Sequence, residues 1–156
     1  MPDLLVKLYD LPASVPAVGD LSGVTTRRAF SAERRLITRW VESKFGDGWA
    51  SECEASFARS PVACLVSVEA GRLLGFACYD ATARGVFGPV GVDTDSRKRG
   101  VGSALLLATL QDMSTQGYAY AIIGGAGTVE FYRKTVGAIE VPGSTPGFYR
   151  GMLRVR

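Results

Sequence analysis

The chain has 156 residues, room for one domain and little more. Hydrophobic residues make up 47% and charged residues 21%, the balance of a soluble globular protein, and the net charge of +3 comes from scattered lysines and arginines, which argues against nucleic acid as a partner. The chain has no histidine, which removes the commonest general base, the Ser-His-Asp triads and most metal sites, so no metal is expected.

Cys53, Cys64 and Cys78 follow no zinc-ligand spacing, and their odd number does not suggest a disulfide framework. A reducing, cytoplasmic setting is expected. No uncharged apolar run reaches the roughly 18 residues of a membrane span, so no membrane association is expected. Asp3, Lys7 and Asp10 interrupt the first residues, which do not read as a secretory signal.

Residues 3–9 read as a short strand and 10–23, with Pro12, Pro16, Gly19 and Gly23, as a loop. A second strand is expected over 24–30. Ser31 is the expected N-cap of a helix in which Ile37, Trp40, Val41 and Phe45 recur at helical spacing until Gly46. A second helix begins near Asp47, with Trp49, Cys53 and Phe57 on one face. Residues 62–69 and 72–80 alternate as a hairpin around Ala70-Gly71. A third strand over 85–92 is laced with Gly85, Gly88, Pro89 and Gly91, a pattern of bulges or close ligand approach. Residues 100–116 form a helix apolar over much of its circumference, and so largely buried. A buried strand at 118–123, a helix capped by Thr128 and two last strands at 138–141 and 148–155 complete the order. The fold class is α/β, a single mixed sheet with helices on both faces.

The stretch from Val90 to Ser103 carries the chemistry. A strand end (Val90, Gly91, Val92) runs into the basic turn Arg97-Lys98-Arg99, then Gly100-Val101-Gly102-Ser103 opens the buried helix. N–H groups at a helix start lack partners and carry partial positive charge, so they suit phosphate oxygens. Gly100 and Gly102 let the backbone come close to such a ligand. The loop lacks the Walker pattern, and Leu105 stands where a dinucleotide fingerprint needs its third glycine.

Arg97-x-x-Gly100-x-Gly102 after a Val-x-Val strand end resembles the pyrophosphate loop of the GNAT-type N-acetyltransferases. Phe131-Tyr132-x-Lys134 followed by Gly137, on a short helix after a buried strand, is similar to a second element of that family. The resemblance spans about 24–156, so residues 1–23 read as an N-terminal extension dispensable for cofactor binding. It implies a splayed sheet, acetyl-CoA as co-substrate and a small-molecule or peptide amine as acceptor, with a homodimer allowed. Val90, Gly91 and Val92 would line the pantetheine arm. Arg97, Lys98, Arg99, Gly100, Val101, Gly102 and Ser103 would hold the pyrophosphate, and Tyr132 would protonate the departing thiolate during direct attack of the amine. Gly125 stands where the family often has asparagine.

No carboxylate lies on the strand from Arg84 to Val92, so no general base is singled out; Asp80, Glu52 and Glu54 are the nearest acids, each more simply read as a solvated surface group. Trp49, Phe148 and Tyr149 read as packing aromatics. A non-catalytic CoA-binding module is the alternative function. A nucleotide- or phosphate-binding protein using the same loop is a remoter one.

Overall fold

The computed structural model describes residues 1–15 and 19–154. It contains seven strands, β1 (Leu4–Lys7), β2 (Val24–Arg28), β3 (Cys64–Glu69), β4 (Arg72–Tyr79), β5 (Val86–Val92), β6 (Tyr120–Ile123) and β7 (Ile139–Glu140). Four helices accompany them, α1 (Arg34–Phe45), α2 (Asp47–Ser56), α3 (Val101–Thr115) and α4 (Val129–Val136). The strands form one open sheet in the order β2-β3-β4-β5-β6-β1-β7. All neighbours are antiparallel except β5 and β6. That parallel pair needs a crossover, and α3 supplies it.

Local chemistry sets most boundaries. Ala70 (φ +50°) and Gly71 (φ +75°) both take left-handed angles between the paired Glu69 and Arg72, a tight two-residue hairpin turn. α1 buries Ile37 and Val41, one turn apart, and stops where Gly46 takes φ +94°. The chain enters α1 through a single 3₁₀ turn at Ser31–Glu33, and the capping group is not Ser31 as expected. The Glu33 carboxylate accepts the Phe30 N–H at 2.7 Å while Arg27 grips both its oxygens at 2.8 Å.

Two apolar layers enclose the sheet. On one face α3 and α4 cover Leu65, Leu74, Phe87 and Ile123 with Leu105, Leu106, Leu110, Met113, Tyr132 and Val136. On the other, α1 and α2 cover Cys64, Val66, Phe76 and Cys78 with Ile37, Val41 and Cys53. All three cysteines are free and buried in this second layer, their sulfurs within 4.8 Å of one another.

The expected strand near the amino end forms, whereas the last expected strand does not. Residues 4–7 of the expected N-terminal extension form an interior strand, β1, between β6 and β7. Leu4 and Val6 are fully buried there. The expected strand at 148–155 does not form over its described residues, 148–154; Val155 lies outside them, as do residues 16–18 of the expected loop. The causes are linked. β1 already supplies the antiparallel partner of β6, so no sheet edge remains there for a C-terminal strand. The backbone at 148–151 turns instead, with Gly147 at φ +99° and Gly151 at φ +81°.

Because β1 is interior, Leu4→Ala should cost about 2–5 kcal/mol, the usual range for a buried leucine. Urea unfolding measures this. Lys7→Ala, on an exposed side chain of the same strand, is the control and should cost little. A neutral Leu4→Ala would show that β1 does not hold the sheet together.

Candidate active site

The site is built on β5. Ala77 pairs with Val90 and Tyr79 with Phe87, so Gly88 and Pro89 together oppose the single residue Cys78. This bulge redirects the strand. Among the described residues β5 pairs with β6 only at Val86 and Phe87, and from Gly88 onward that edge is open. The Asp93 N–H donates to the Leu74 carbonyl at 2.8 Å. Backbone polar groups alternate along a strand, so those of Val90 and Val92 point away from β4, into the opening. Gly91 lies where a Cβ would stand 2.6 Å from the Phe45 ring and 3.0 Å from that of Phe76, so a glycine is required by the aromatic layer under α1.

Beyond β5 the chain makes a 3₁₀ turn at Thr94–Ser96, then passes through left-handed angles at Lys98 (φ +68°) and Gly100 (φ +94°) before α3 begins. The first helical bond runs from the Ala104 N–H to the Gly100 carbonyl at 3.0 Å. Among the described residues the N–H groups of Lys98, Arg99, Gly100, Val101, Gly102 and Ser103 find no acceptor. The positive end of the α3 dipole adds to them, giving a preformed seat for an anion at the carboxyl end of β5. A Cβ on Gly102 would meet only the Val92 side chain, at an ordinary 3.6 Å, so the space above it is free on the protein side.

The three basic side chains of the turn divide. Arg97 and Lys98 are exposed and free of any ion pair among the described residues. Arg99 is not free, which corrects the expectation that its charge faces the seat. Its guanidinium grips both Glu69 oxygens at 3.1 and 2.8 Å and donates to the Asp20 carbonyl. Arg99 thus ties the turn to the β3–β4 hairpin and to the segment after β1, and can offer an approaching anion only its N–H.

Tyr132 projects from α4 into the apolar layer shared with α3. Its ring is 8% exposed. Its hydroxyl has no hydrogen-bond partner among the described residues, yet is not fully enclosed. Burial raises its pKa above the ordinary phenol value, so the proton stays on. Thr128 occupies the N-cap position of α4 as expected, but its side chain makes no capping bond.

The three nearest acids lie apart. Asp80 sits at the closed end of the β5–β6 pair, where it accepts the Gly85 N–H at 2.8 Å and the Tyr118 hydroxyl at 2.7 Å. Glu54 points to solvent. Glu52, on α2, accepts hydroxyls from Thr82 and Tyr149. That last contact escaped the sequence reading, as did the role of Asp3, whose carboxylate accepts the N–H groups of Gly125 and Phe148 at 3.2 and 3.0 Å. Both join groups about a hundred or more positions apart, and no local pattern announces them.

Residues 32–138 match the model of the acetyltransferase (GNAT) family. The chain belongs to this family. Solved GNAT structures share the fold. A GCN5-related N-acetyltransferase from Sphaerobacter thermophilus superposes with a TM-score of 0.69 at 24% identity, over 90% of this chain and 48% of that one. A GCN5-related N-acetyltransferase from Kribbella flavida gives 0.62 at 24% identity, over 89% and 53%. A GCN5-related glucosamine N-acetyltransferase region of a fungal multi-domain GH3 β-N-acetylglucosaminidase gives 0.70 at 15% identity, over 90% and 19%. The chain therefore spans about half, or less, of the length of these proteins. No curated protein matches it. Among the described residues no helix is long and apolar enough to cross a membrane.

In this GNAT domain the two glycines of the site should respond differently to a methyl group. Gly91→Ala drives a carbon into the Phe45 ring and should destabilise by about 1–3 kcal/mol. Gly102→Ala meets no obstacle within the protein and should leave the melting temperature close to that of the parent. Thermal unfolding of the pair reads both, and equal behaviour would contradict the packing under β5.

Proposed function

We propose that this chain transfers the acetyl group of acetyl-CoA to a primary amine by direct attack in a ternary complex. The observation that carries the reading is the row of unpartnered N–H groups from Lys98 to Ser103 beside the open edge of β5, in a chain of the acetyltransferase family. Those amides suit a pyrophosphate, with Arg97 and Lys98 adding charge at its rim. The outward backbone groups of Val90 and Val92 suit the amide-rich pantetheine arm, as an added strand would be held.

Acetyl-CoA supplies the thioester. The N–H of Val92 then stands where it can stabilise negative charge growing on the carbonyl oxygen. Tyr132 donates its proton to the sulfur that leaves. A thiol has a pKa of roughly 8.5 and a phenol roughly 10, and burial raises that of Tyr132 further, so at neutral pH the hydroxyl is loaded. The acceptor must arrive with its nitrogen unprotonated. No carboxylate or histidine lines β5, so water is the simplest route for that proton.

Two variants test the reading. Gly102→Asp should weaken CoA binding about 10- to 100-fold by calorimetry, because a carboxylate then faces the phosphates. Its thermal stability should hold, since the site has space for a Cβ and an acid in the first helical turn is favourable. Unchanged affinity would remove the pyrophosphate from this turn. Tyr132→Phe should lower kcat by roughly 10²–10⁴ with acetyl-CoA affinity intact. The deficit should shrink for an acyl donor with a more acidic thiol. Near-normal turnover on acetyl-CoA would reduce Tyr132 to a packing residue. A protein that binds CoA but releases no thiol with any amine would be a binding module instead.

A further inference from the structure

On the face of the sheet covered by α1 and α2, the opening beside β5 has two walls. One starts at β5: the Phe45 ring lies on Gly91, and Trp49 packs on Phe45 at 5.1 Å between centroids. Glu52 follows three residues later on the same helix. The other starts just past the end of β6. The Phe148 ring occupies the space a Cβ on Gly124 would take, and Tyr149 lies against Phe148 at 4.1 Å. The walls meet where the Tyr149 hydroxyl donates to Glu52, with Thr82 from the β4–β5 loop donating to the same oxygen. The hydroxyls of Thr82 and Tyr149 are themselves 3.4 Å apart.

Glu52, like Asp3 and Asp80, is held by neutral donors, whereas four other acids that anchor the fold are held by cations. Glu33 is held by Arg27, Glu69 by Arg99, Asp112 by Arg28 and Asp93 by Lys44. Glu52 has two neutral hydroxyl donors and, among the described residues, no lysine or arginine within ion-pair range. A carboxylate bonded only to neutral hydroxyls keeps the capacity for a charge-assisted bond to a cation. Two of the surrounding aromatic rings are partly exposed: Trp49 is 38% exposed and Phe148 37%. Exposed aromatic rings can add attraction for a positive group. Burial and the bond to Glu52 push the Tyr149 pKa up to about 12, so Tyr149 remains a neutral donor and cannot become a competing anion.

We infer that Glu52, flanked by Trp49 and Tyr149, is the seat for a second, non-reacting ammonium group of the acceptor, which makes the acceptor a diamine or polyamine rather than a neutral or acidic amine. The inference rests on the acetyl-transfer reading given above. The reacting nitrogen must be unprotonated and must reach the thioester in the gap between β5 and β6, whereas Glu52 stands where the two walls meet, at Tyr149 and Thr82. A molecule with two nitrogens spans the two places. Tyr149 holds the carboxylate when no acceptor is bound and is displaced by it.

The test uses the whole protein with 1,4-diaminobutane, spermidine and n-butylamine. Binding is measured by calorimetry with and without CoA, and thiol release from acetyl-CoA is followed in parallel. The diamine and spermidine should bind at least about tenfold more tightly than n-butylamine. Glu52→Gln keeps the hydroxyl contacts and should erase that preference, raising KM for the diamine about 10- to 100-fold while kcat and acetyl-CoA affinity stay near the parent values. Tyr149→Phe frees the carboxylate and should tighten diamine binding a few-fold, which a merely structural residue would not do. Equal affinities for the three amines, or a diamine preference that survives Glu52→Gln, would overturn the inference. So would a Glu52→Gln variant with abolished kcat and unchanged KM, because Glu52 would then be the proton acceptor. Failure to bind acetyl-CoA would sink the acetyl-transfer reading instead, and the diamine titration without CoA would still decide whether the cation seat exists.

Discussion

The fold depends on two parallel strands that begin together and then part. β5 and β6 pair over two residues, and the bulge at Gly88–Pro89 ends that pairing. Parting the strands strips one edge of β5 of its hydrogen bonds, a cost only a ligand or water can offset. Everything near the opening serves to hold it. Gly91 gives way to Phe45 on one face, and Val92 packs towards α3 on the other. The same departure of β5 delivers the chain to the start of α3, so the free edge and the unpartnered helix amides arise from one deformation. A ligand with a phosphate at one end and amides along its length would satisfy both.

Around this opening the charged groups act mostly as ties between distant segments. Asp112 on α3 takes the Arg28 guanidinium of β2 at 3.0 and 2.5 Å and the Tyr79 hydroxyl of β4 at 2.6 Å, joining three elements at one carboxylate. Lys44, at the end of α1, reaches Asp93 at 3.3 Å, where β5 gives over to the turn. These pairs are partly covered, with the Asp112 and Asp93 side chains 16% and 14% exposed. Their value is positional. Each fixes where one end of an element stands, and two of them, Arg99–Glu69 and Lys44–Asp93, flank the turn that carries the anion seat.

The middle of the chain was legible because its signals are local. Alternating Val62, Cys64, Val66 and Val68, the Ala70-Gly71 turn and the apolar helix after Gly100 each state their structure within a dozen residues, and the structure follows them closely. The glycines of β5 announced a bulge, and one is there. The basic turn was legible as a motif, but not the diversion of Arg99 to Glu69, since nothing in Arg97-Lys98-Arg99 says which cation faces outward. The ends of the chain were less legible for a related reason. A short apolar segment at residues 3–9 fits an edge, an extension or an interior strand equally well by pattern, and only the competition for the flank of β6 decides. Once β1 wins that place, the segment from 142 to 154 is released from the sheet. Asp3 then pins it back through the Phe148 N–H, and Phe148 and Tyr149 come to rest over the opening.

The position of β1 also imposes an order of assembly. Leu4 pairs with Ile123 and Glu140, and the Asp3 N–H donates to Ser144 across 141 positions of sequence. On a ribosome β1 is made before β6 and β7, its two partners in the sheet. Leu4, Val6 and Leu8 stay without those partners while the β3–β4 hairpin and α3 form from near neighbours. Closure of such a distant pairing is slow compared with the local steps before it. This sheet is therefore closed by the earliest made of its own strands, and until then that strand is open to capture by a chaperone or by a second nascent chain.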